Sequence, residues 1–269
     1  MANVIKIKKG LDINLKGKAS DVLLNGGKSD SYAIVPDYYN GIVPKVVAKV
    51  GEKVKAGSVL MIDKNRPEIK FVSPVSGEVT AVNRGEKRKV LSVVVKPEAQ
   101  IEYEDFGKKN VASLKREEVK EAILHAGMWP FIKQRPYDIV ASPADEPRDI
   151  FVSAFYSAPL APNFDFVVKG QEVDFQTGLD ALAKLTDGKV YVGIRKGSSV
   201  SVKGVETVEV EGPHPAANVG VQINHIKPIN KGEVVWTVNP ADVIVIGRLF
   251  NKGIADFSRL VVITGSETT

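Results

Sequence analysis

Gly127-Met128-Trp129-Pro130-Phe131-Ile132-Lys133-Gln134-Arg135-Pro136-Tyr137 closes one sequence pattern and opens another. Upstream, Leu114, Val119, Ala122, Ile123 and Ala126 recur at helical spacing behind Ser113, a candidate N-cap, and Gly127 is a natural C′ residue. Downstream, apolar runs alternate with helical patterns. Asp149–Ala154, Lys189–Ile194, Thr207–Val210 and Arg259–Ile263 read as strands. Phe175, Leu179, Leu182, Ala183 and Leu185 mark a helix running to Gly188, and Asn239-Pro240-Ala241-Asp242 starts another with proline at an early position. Continuous apolar strands between helices predict a three-layer α/β unit with a largely parallel sheet over residues 101–269.

Residues 1–100 have a different texture. Val43, Val46, Val47, Val50, Val54, Val59, Leu60 and Ile62 lie between glycine-marked turns, so β-branched enrichment favours short strands. Val50-Gly51-Glu52-Lys53-Val54 is echoed by Arg84-Gly85-Glu86-Lys87-Arg88-Lys89-Val90, which suggests two similar all-β halves packed face to face. The chain as a whole therefore reads as α+β and multidomain, with an all-β unit over 1–100 followed by the α/β unit.

Composition removes several chemistries. With no cysteine there are no disulfides, thiolate metal sites, iron–sulfur ligands or cysteine nucleophiles. No apolar run approaches the roughly 18–20 residues that span a bilayer, and the first residues form no signal-peptide core, so a soluble intracellular chain is expected. The net charge of +5 is uneven: residues 1–100 hold 18 Lys and Arg against 10 Asp and Glu. The excess sits at Lys6, Lys8, Lys9 and at Arg84–Lys89, either a solvated face or a docking surface for an acidic partner or headgroups. No aromatic-rich nucleic-acid motif accompanies it, so nucleic acid is not expected as a partner.

Glycine loops decide against nucleotides. Asn25-Gly26-Gly27-Lys28-Ser29 lacks the earlier glycine of a phosphate-binding loop, because that position is Val22. No G-x-G-x-x-G follows any predicted strand, and without it the backbone cannot approach a pyrophosphate at a helix N-terminus. Gly212-Pro213-His214-Pro215-Ala216 is a rigid loop in which His214 could be a ligand, a proton carrier or a packing residue. Only His125 and His225 accompany it, so no metal cluster is expected.

Gly57-Ser58-Val59-Leu60 and Val72-Ser73-Pro74-Val75-Ser76-Gly77-Glu78-Val79 resemble the barrel-sandwich, lipoyl/biotinyl-like fold. In carrier domains of that fold the hairpin between such segments presents a modified lysine. Here Asp63-Lys64-Asn65-Arg66-Pro67 replaces the expected sequence and lengthens the loop, so Lys64 is not expected to carry a lipoyl or biotinyl group.

Further stretches extend the resemblance over the whole chain. They are Ile5–Asp12, Lys70–Gly77, Trp129–Pro136, Gly212–Ala216 and Val245–Phe250. Together they are similar to the NqrA family, which belongs to the bacterial sodium-translocating NADH:quinone oxidoreductases. Members continue into a β-grasp (SLBB-type) domain, so the chain looks truncated before it. The family is similar in fold to the flavoprotein subunit of respiratory complex I, whose glycine-rich flavin loop follows the helix corresponding to Lys115–Ala126. Gly127–Tyr137 takes that place here. The resemblance thus implies a Rossmann-like scaffold without a flavin or NADH site, no bound cofactor and no catalytic residue of its own. It implies a cytoplasmic protein, peripherally attached to the inner membrane through its sister subunits, with quinone as a substrate of the complex. On that reading Trp129, Phe131, Lys133, Arg135 and Tyr137 are candidate quinone-binding residues: aromatic rings to stack on the head group and cations to meet its oxygens. Pro213, His214 and Pro215 form a structural loop. The competing reading has Trp129 and Phe131 packed as core in the space a flavin would fill.

Overall fold

The computed structural model describes residues 4–15 and 20–264. Strand β1 (Val4–Lys6) comes first, then seven strands of the barrel-sandwich: β2 (Tyr32–Ile34), β3 (Pro44–Val46), β4 (Lys53–Val54), β5 (Val59–Asp63), β6 (Lys70–Val72), β7 (Gly77–Arg84) and β8 (Val90–Pro97). They make one sheet of order β2-β8-β7-β4 and another of order β3-β5-β6. Leu60, Val79, Val93 and Val95 are buried between the two. Short strands with alternating inward valines cannot bury their faces alone, and face-to-face packing of two sheets supplies the missing cover.

Helix α1 (Arg116–His125) opens the second unit. Its N-cap is Lys115, not the expected Ser113, which lies in a 3₁₀ turn (Val111–Ser113). Glu118 reaches back to accept from the Lys115 amide at 2.8 Å, so the third helical position closes the turn that a serine cap was expected to close. The other end fits the sequence. Gly127 has φ +68°, and the Met128 and Gly127 amides donate to the Ile123 and Leu124 carbonyls, a Schellman closure. A Cβ on Gly127 would also lie 2.5 Å from Val72 Cγ1, so glycine lets helix end and barrel meet.

The remaining elements are β9 (Lys133–Arg135), β10 (Ile139–Val140), β11 (Ile150–Ser153), α2 (Phe164–Val167), α3 (Glu172–Lys184), β12 (Val190–Arg195), β13 (Glu206–Glu211), α4 (Val219–Ile226), β14 (Val235–Thr237) and α5 (Pro240–Lys252). The sheet order is β1-β13-β12-β11-β14-β9-β10. The pairs from β1 to β14 are parallel, and β9 and β10 form an antiparallel edge. Ile150, Val152, Val192 and Trp236 face α3 and α5 on one side, while Phe151 and Val235 face α4 on the other. Three layers result, as expected.

Four further expectations are corrected. Helix α3 stops at Lys184, because the Leu185 amide turns to the Leu182 carbonyl well before Gly188. Arg259–Ile263 forms no strand: it pairs with no neighbour, and Val261 and Ile263 are 73% and 79% exposed. Lys133–Arg135, where no strand is expected from the sequence, is a strand. Finally β1 leaves the barrel to pair with β13, Ile5 opposite Val210, so the α/β sheet recruits its first strand from the chain's beginning.

The hairpin that would present a carrier lysine is docked. Arg66 donates to Asp63 Oδ2 (2.8 Å), to the Gly41 carbonyl (2.8 Å) and across to the Val140 carbonyl (3.2 Å). Ile69 and Phe71 join the core of the α/β unit. Lys64 is exposed at its turn, on a hairpin held against the neighbouring unit.

Candidate functional site

The five parallel strands end on one edge of the sheet, and β9, running the opposite way, begins there with Lys133 opposite Thr237. In open α/β sheets the crevice outside the carboxyl ends of the strands is where ligands bind. Here that edge collects side chains from five separate segments. Lys133 starts β9, and Tyr156 lies just past β11. Asn239 and Asp242 are the cap and third residue of α5. Tyr39 comes from the barrel after a 3₁₀ turn, and Phe257 and Arg259 come from the segment that returns after α5.

Their contacts form a connected set. Arg259 Nη2 donates to Asp242 Oδ1 at 2.8 Å, and its guanidinium lies 5.9 Å from the Phe131 ring centroid. Phe131 also meets Phe257 edge-on at 5.9 Å. Lys133 Nζ lies 5.2 Å above the Tyr39 ring, which abuts Phe71. The Tyr156 hydroxyl donates to Asn239 Oδ1 at 3.3 Å, while the same Asn239 atom accepts from the Ala241 amide and caps α5.

Electrostatics mark the cluster as costly. Burial pushes the Asp242 carboxyl above the ordinary carboxylate range, against the pull of Arg259 and Lys133. Burial, reinforced by the Asp242 charge, raises both the Tyr39 and Tyr156 phenols. Burial lowers the Lys133 ammonium, against Asp138 and Asp242. Titratable groups that shift one another at partly buried positions make this edge a candidate site.

The five residues read from the sequence separate here. Phe131 and Lys133 belong to the cluster. Trp129 does not: it is fully buried, donates from Nε1 to the Ala141 carbonyl at 2.8 Å and meets Trp236 edge-on, so it packs as core. Arg135 pairs with Asp138 at 3.3 Å and lies over Gly220 at the start of α4. Tyr137 is 79% exposed at the turn before β10.

His214 has structural partners on every side. Its Nδ1 sits 3.1 Å from Ser157 Oγ, its amide donates to Asp12 Oδ1 at 2.8 Å, and its carbonyl accepts from Leu11 at 2.9 Å. The Pro213–Pro215 loop thereby ties the segment after β1 to the end of β13. Among the described residues no group of three His, Cys, Asp or Glu could hold a metal. Of the two basic clusters, Lys6, Lys8 and Lys9 line a shallow cavity of about 340 Å³ with Pro215, Val221 and His225. Arg84–Lys89 lies on another sheet, around the β7–β8 connection.

Tyr39, Tyr156, Asp242 and Arg259 escape a reading by sequence. Asn239-Pro240-Ala241-Asp242 was visible as a helix start, and an acid in the first turn after a parallel strand is the one local signal that could have pointed to this edge.

Fold and edge together define a class: a barrel-sandwich unit docked on a parallel-sheet α/β unit, whose carboxyl edge holds aromatic and cationic side chains. A family model described as the NqrA second alpha/beta domain matches residues 114–255, and one described as the NqrA N-terminal barrel-sandwich hybrid domain matches residues 5–98. The chain belongs to the NqrA family. It is 38% identical over 269 residues to the NqrA subunit of the Na(+)-translocating NADH-quinone reductase of Neisseria meningitidis serogroup A, covering 98% of this chain and 60% of that protein. It is also 38% identical, over 267 residues in each case, to the proteins of the same name from Hahella chejuensis and Vibrio atlanticus, covering 97% of this chain and 60% of each of them. The chain thus spans about 60% of the length of these curated relatives. Among the described residues no helix is long and apolar enough to cross a membrane.

Proposed function

We propose that this chain is part of the NqrA subunit of a Na⁺-translocating NADH:quinone reductase, and that its α/β unit takes a quinone head group at the carboxyl edge of the sheet. On this reading it is a peripheral subunit on the cytoplasmic face, held to the inner membrane by sister subunits. It supports quinone reduction coupled to sodium export and has no flavin or NADH site of its own. The observation that carries the reading is the edge itself: the Phe131 ring, with Arg259 over one face, and the donors of Lys133 and Arg259 converge at the carboxyl ends of the strands. A quinone is a flat ring with two carbonyl acceptors, so its recognition asks for those two kinds of group.

The test is a titration of the chain with the tail-free ubiquinone head group, followed by emission from Trp129 and Trp236, the two tryptophans of the sequence. Saturable quenching that is weakened by Lys133→Met is the expected result. The lack of a saturable response both here and in a full-length relative refutes direct binding. A second reading, a docking module without quinone contact, is favoured by the burial of Trp129 in the core. It predicts sister-subunit binding by a chain that ignores quinone.

A further inference from the structure

We propose that Arg259 is the second cationic contact for a quinone carbonyl and that Asp242 is the positioning residue that aims it. This rests on the quinone reading of the carboxyl edge. It adds two residues lying more than a hundred positions beyond the stretch that first suggested the site.

The geometry is specific. Arg259 belongs to an irregular segment with no strand or helix to fix it. Two contacts fix it instead: the 2.8 Å bond to Asp242 and the approach to the Phe131 face. Asp242 is 13% exposed and held on the first turn of α5, whose cap, Asn239, is bonded to Ala241. The rigid partner is therefore the acid, and the placed partner is the arginine. An arginine stacked beside an aromatic ring and pinned by one carboxylate oxygen keeps N–H groups free for a further acceptor, because guanidinium carries five donors. Arg259 has no other side-chain hydrogen bond among the described residues.

The charges suit the proposed ligand. Lys133 and Arg259 face the carboxylate of Asp242, while Asp138, the other acid acting on Lys133, is paired with Arg135 at 3.3 Å; the Tyr39 and Tyr156 phenols surround them. An excess of positive charge carried by a 40% exposed Arg259 side chain on a largely buried acid favours an oxygen-rich acceptor ring over a cationic or purely apolar ligand. An aliphatic occupant would offer no acceptor to the remaining N–H groups of Arg259 and Lys133.

The experiment measures binding of the tail-free ubiquinone head group by calorimetry to the 269-residue chain, to the single variants Arg259→Gln, Arg259→Lys, Asp242→Asn and Asp242→Glu, and to the double variant Arg259→Gln/Asp242→Asn. Loss of a charged hydrogen bond predicts weakening by about tenfold for Arg259→Gln and about threefold to tenfold for Asp242→Asn. Lysine at 259 recovers only part of the loss, because it keeps the charge without the fork. Glutamate at 242 restores affinity above that of the asparagine variant, which loss of mere packing would not produce. In the Arg259→Gln background, Asp242→Asn has no further effect, since Asp242 acts only through the arginine. Wild-type binding with Arg259→Gln and Asp242→Asn both within about twofold overturns this inference and leaves the quinone reading standing. Additive losses in the double variant also overturn it. No saturable binding by the wild type overturns the quinone reading and the inference with it. Should Asp242→Asn melt at the assay temperature, Arg259→Lys, which retains the ion pair, carries the test alone.

Discussion

Helices α3 and α5 cross through a reciprocal pair of glycines. A Cβ on Gly178 would lie 2.0 Å from the Val243 carbonyl oxygen, and one on Gly247 would lie 1.7 Å from the Asp174 carbonyl oxygen. Each glycine is four residues from the carbonyl its partner meets, so the two contacts are the two ends of one groove. Ordinary van der Waals contact would require the helices to separate locally by roughly 1.5 Å. The obstacle is backbone on both sides, so no side chain can swing aside. Overpacking of a core typically costs about 1–3 kcal/mol, and a backbone clash belongs at the upper end. Alanine returns about 1 kcal/mol of helix propensity relative to glycine. Gly178→Ala and Gly247→Ala should each lose about 2 kcal/mol net. The double variant should lose less than the sum, because one separation relieves both clashes. Urea denaturation followed by circular dichroism measures this, with Gly26→Ala as a control at an open position. A stability within about 0.5 kcal/mol of wild type for either core glycine would refute the close-crossing argument. The crossing also sets where α5 begins, and so where Asp242 and Asn239 meet the carboxyl edge.

Two other outcomes follow from contacts in the α/β unit, and two more from the barrel hairpin. Asp242 has its carboxyl raised by burial, so the folded chain holds that proton more tightly than the unfolded chain. Its contribution to stability is present below the ordinary carboxylate range and is lost as pH rises through the raised value, so stability measured against pH should fall across that window in wild type and flatten in Asp242→Asn. Trp129→Phe removes the bond to the Ala141 carbonyl and part of the contact with Trp236, and should cost about 2 kcal/mol in a denaturant melt while leaving the fold intact. Arg66→Ala frees the barrel hairpin from the α/β unit and strips a cation from Asp63, which is 1% exposed; a loss of about 2 kcal/mol is expected. Intact mass of the purified chain should show no lipoyl or biotinyl adduct on Lys64.

What the sequence disclosed, and what it withheld, follows from the range of the forces involved. Ile150–Ser153 and Val190–Arg195 were legible because a strand covered on both faces must be apolar throughout. Gly127 and Asn239-Pro240 were legible because caps are local chemistry. Strand β9 was not. Lys133, Gln134 and Arg135 carry no strand pattern, and they are extended because Val235–Thr237 pairs with them from a hundred residues away. Strand β1 is equally nonlocal. Leu260–Ile263 misled in the opposite sense, since its apolar run pairs with no strand.

The site divides along the same line. Phe131 and Lys133 were visible because their stretch is aromatic and basic at once, but Trp129, the most conspicuous member, serves the core. Asp242 shows why local chemistry was insufficient. An acid in the first turn of a helix is ordinary, stabilised by the free amides and the helix dipole, and needs no further explanation while it faces water. Burial changes its meaning. Once Tyr39 from the barrel, Phe131 and Lys133 from the stretch after α1, and Phe257 and Arg259 from the segment after α5 close around it, the same carboxylate is costly unless something cationic is held to it. The sequence places an acid at that helix start, but only the topology that converges five segments on one sheet edge makes it the residue around which a ligand's oxygen could be met.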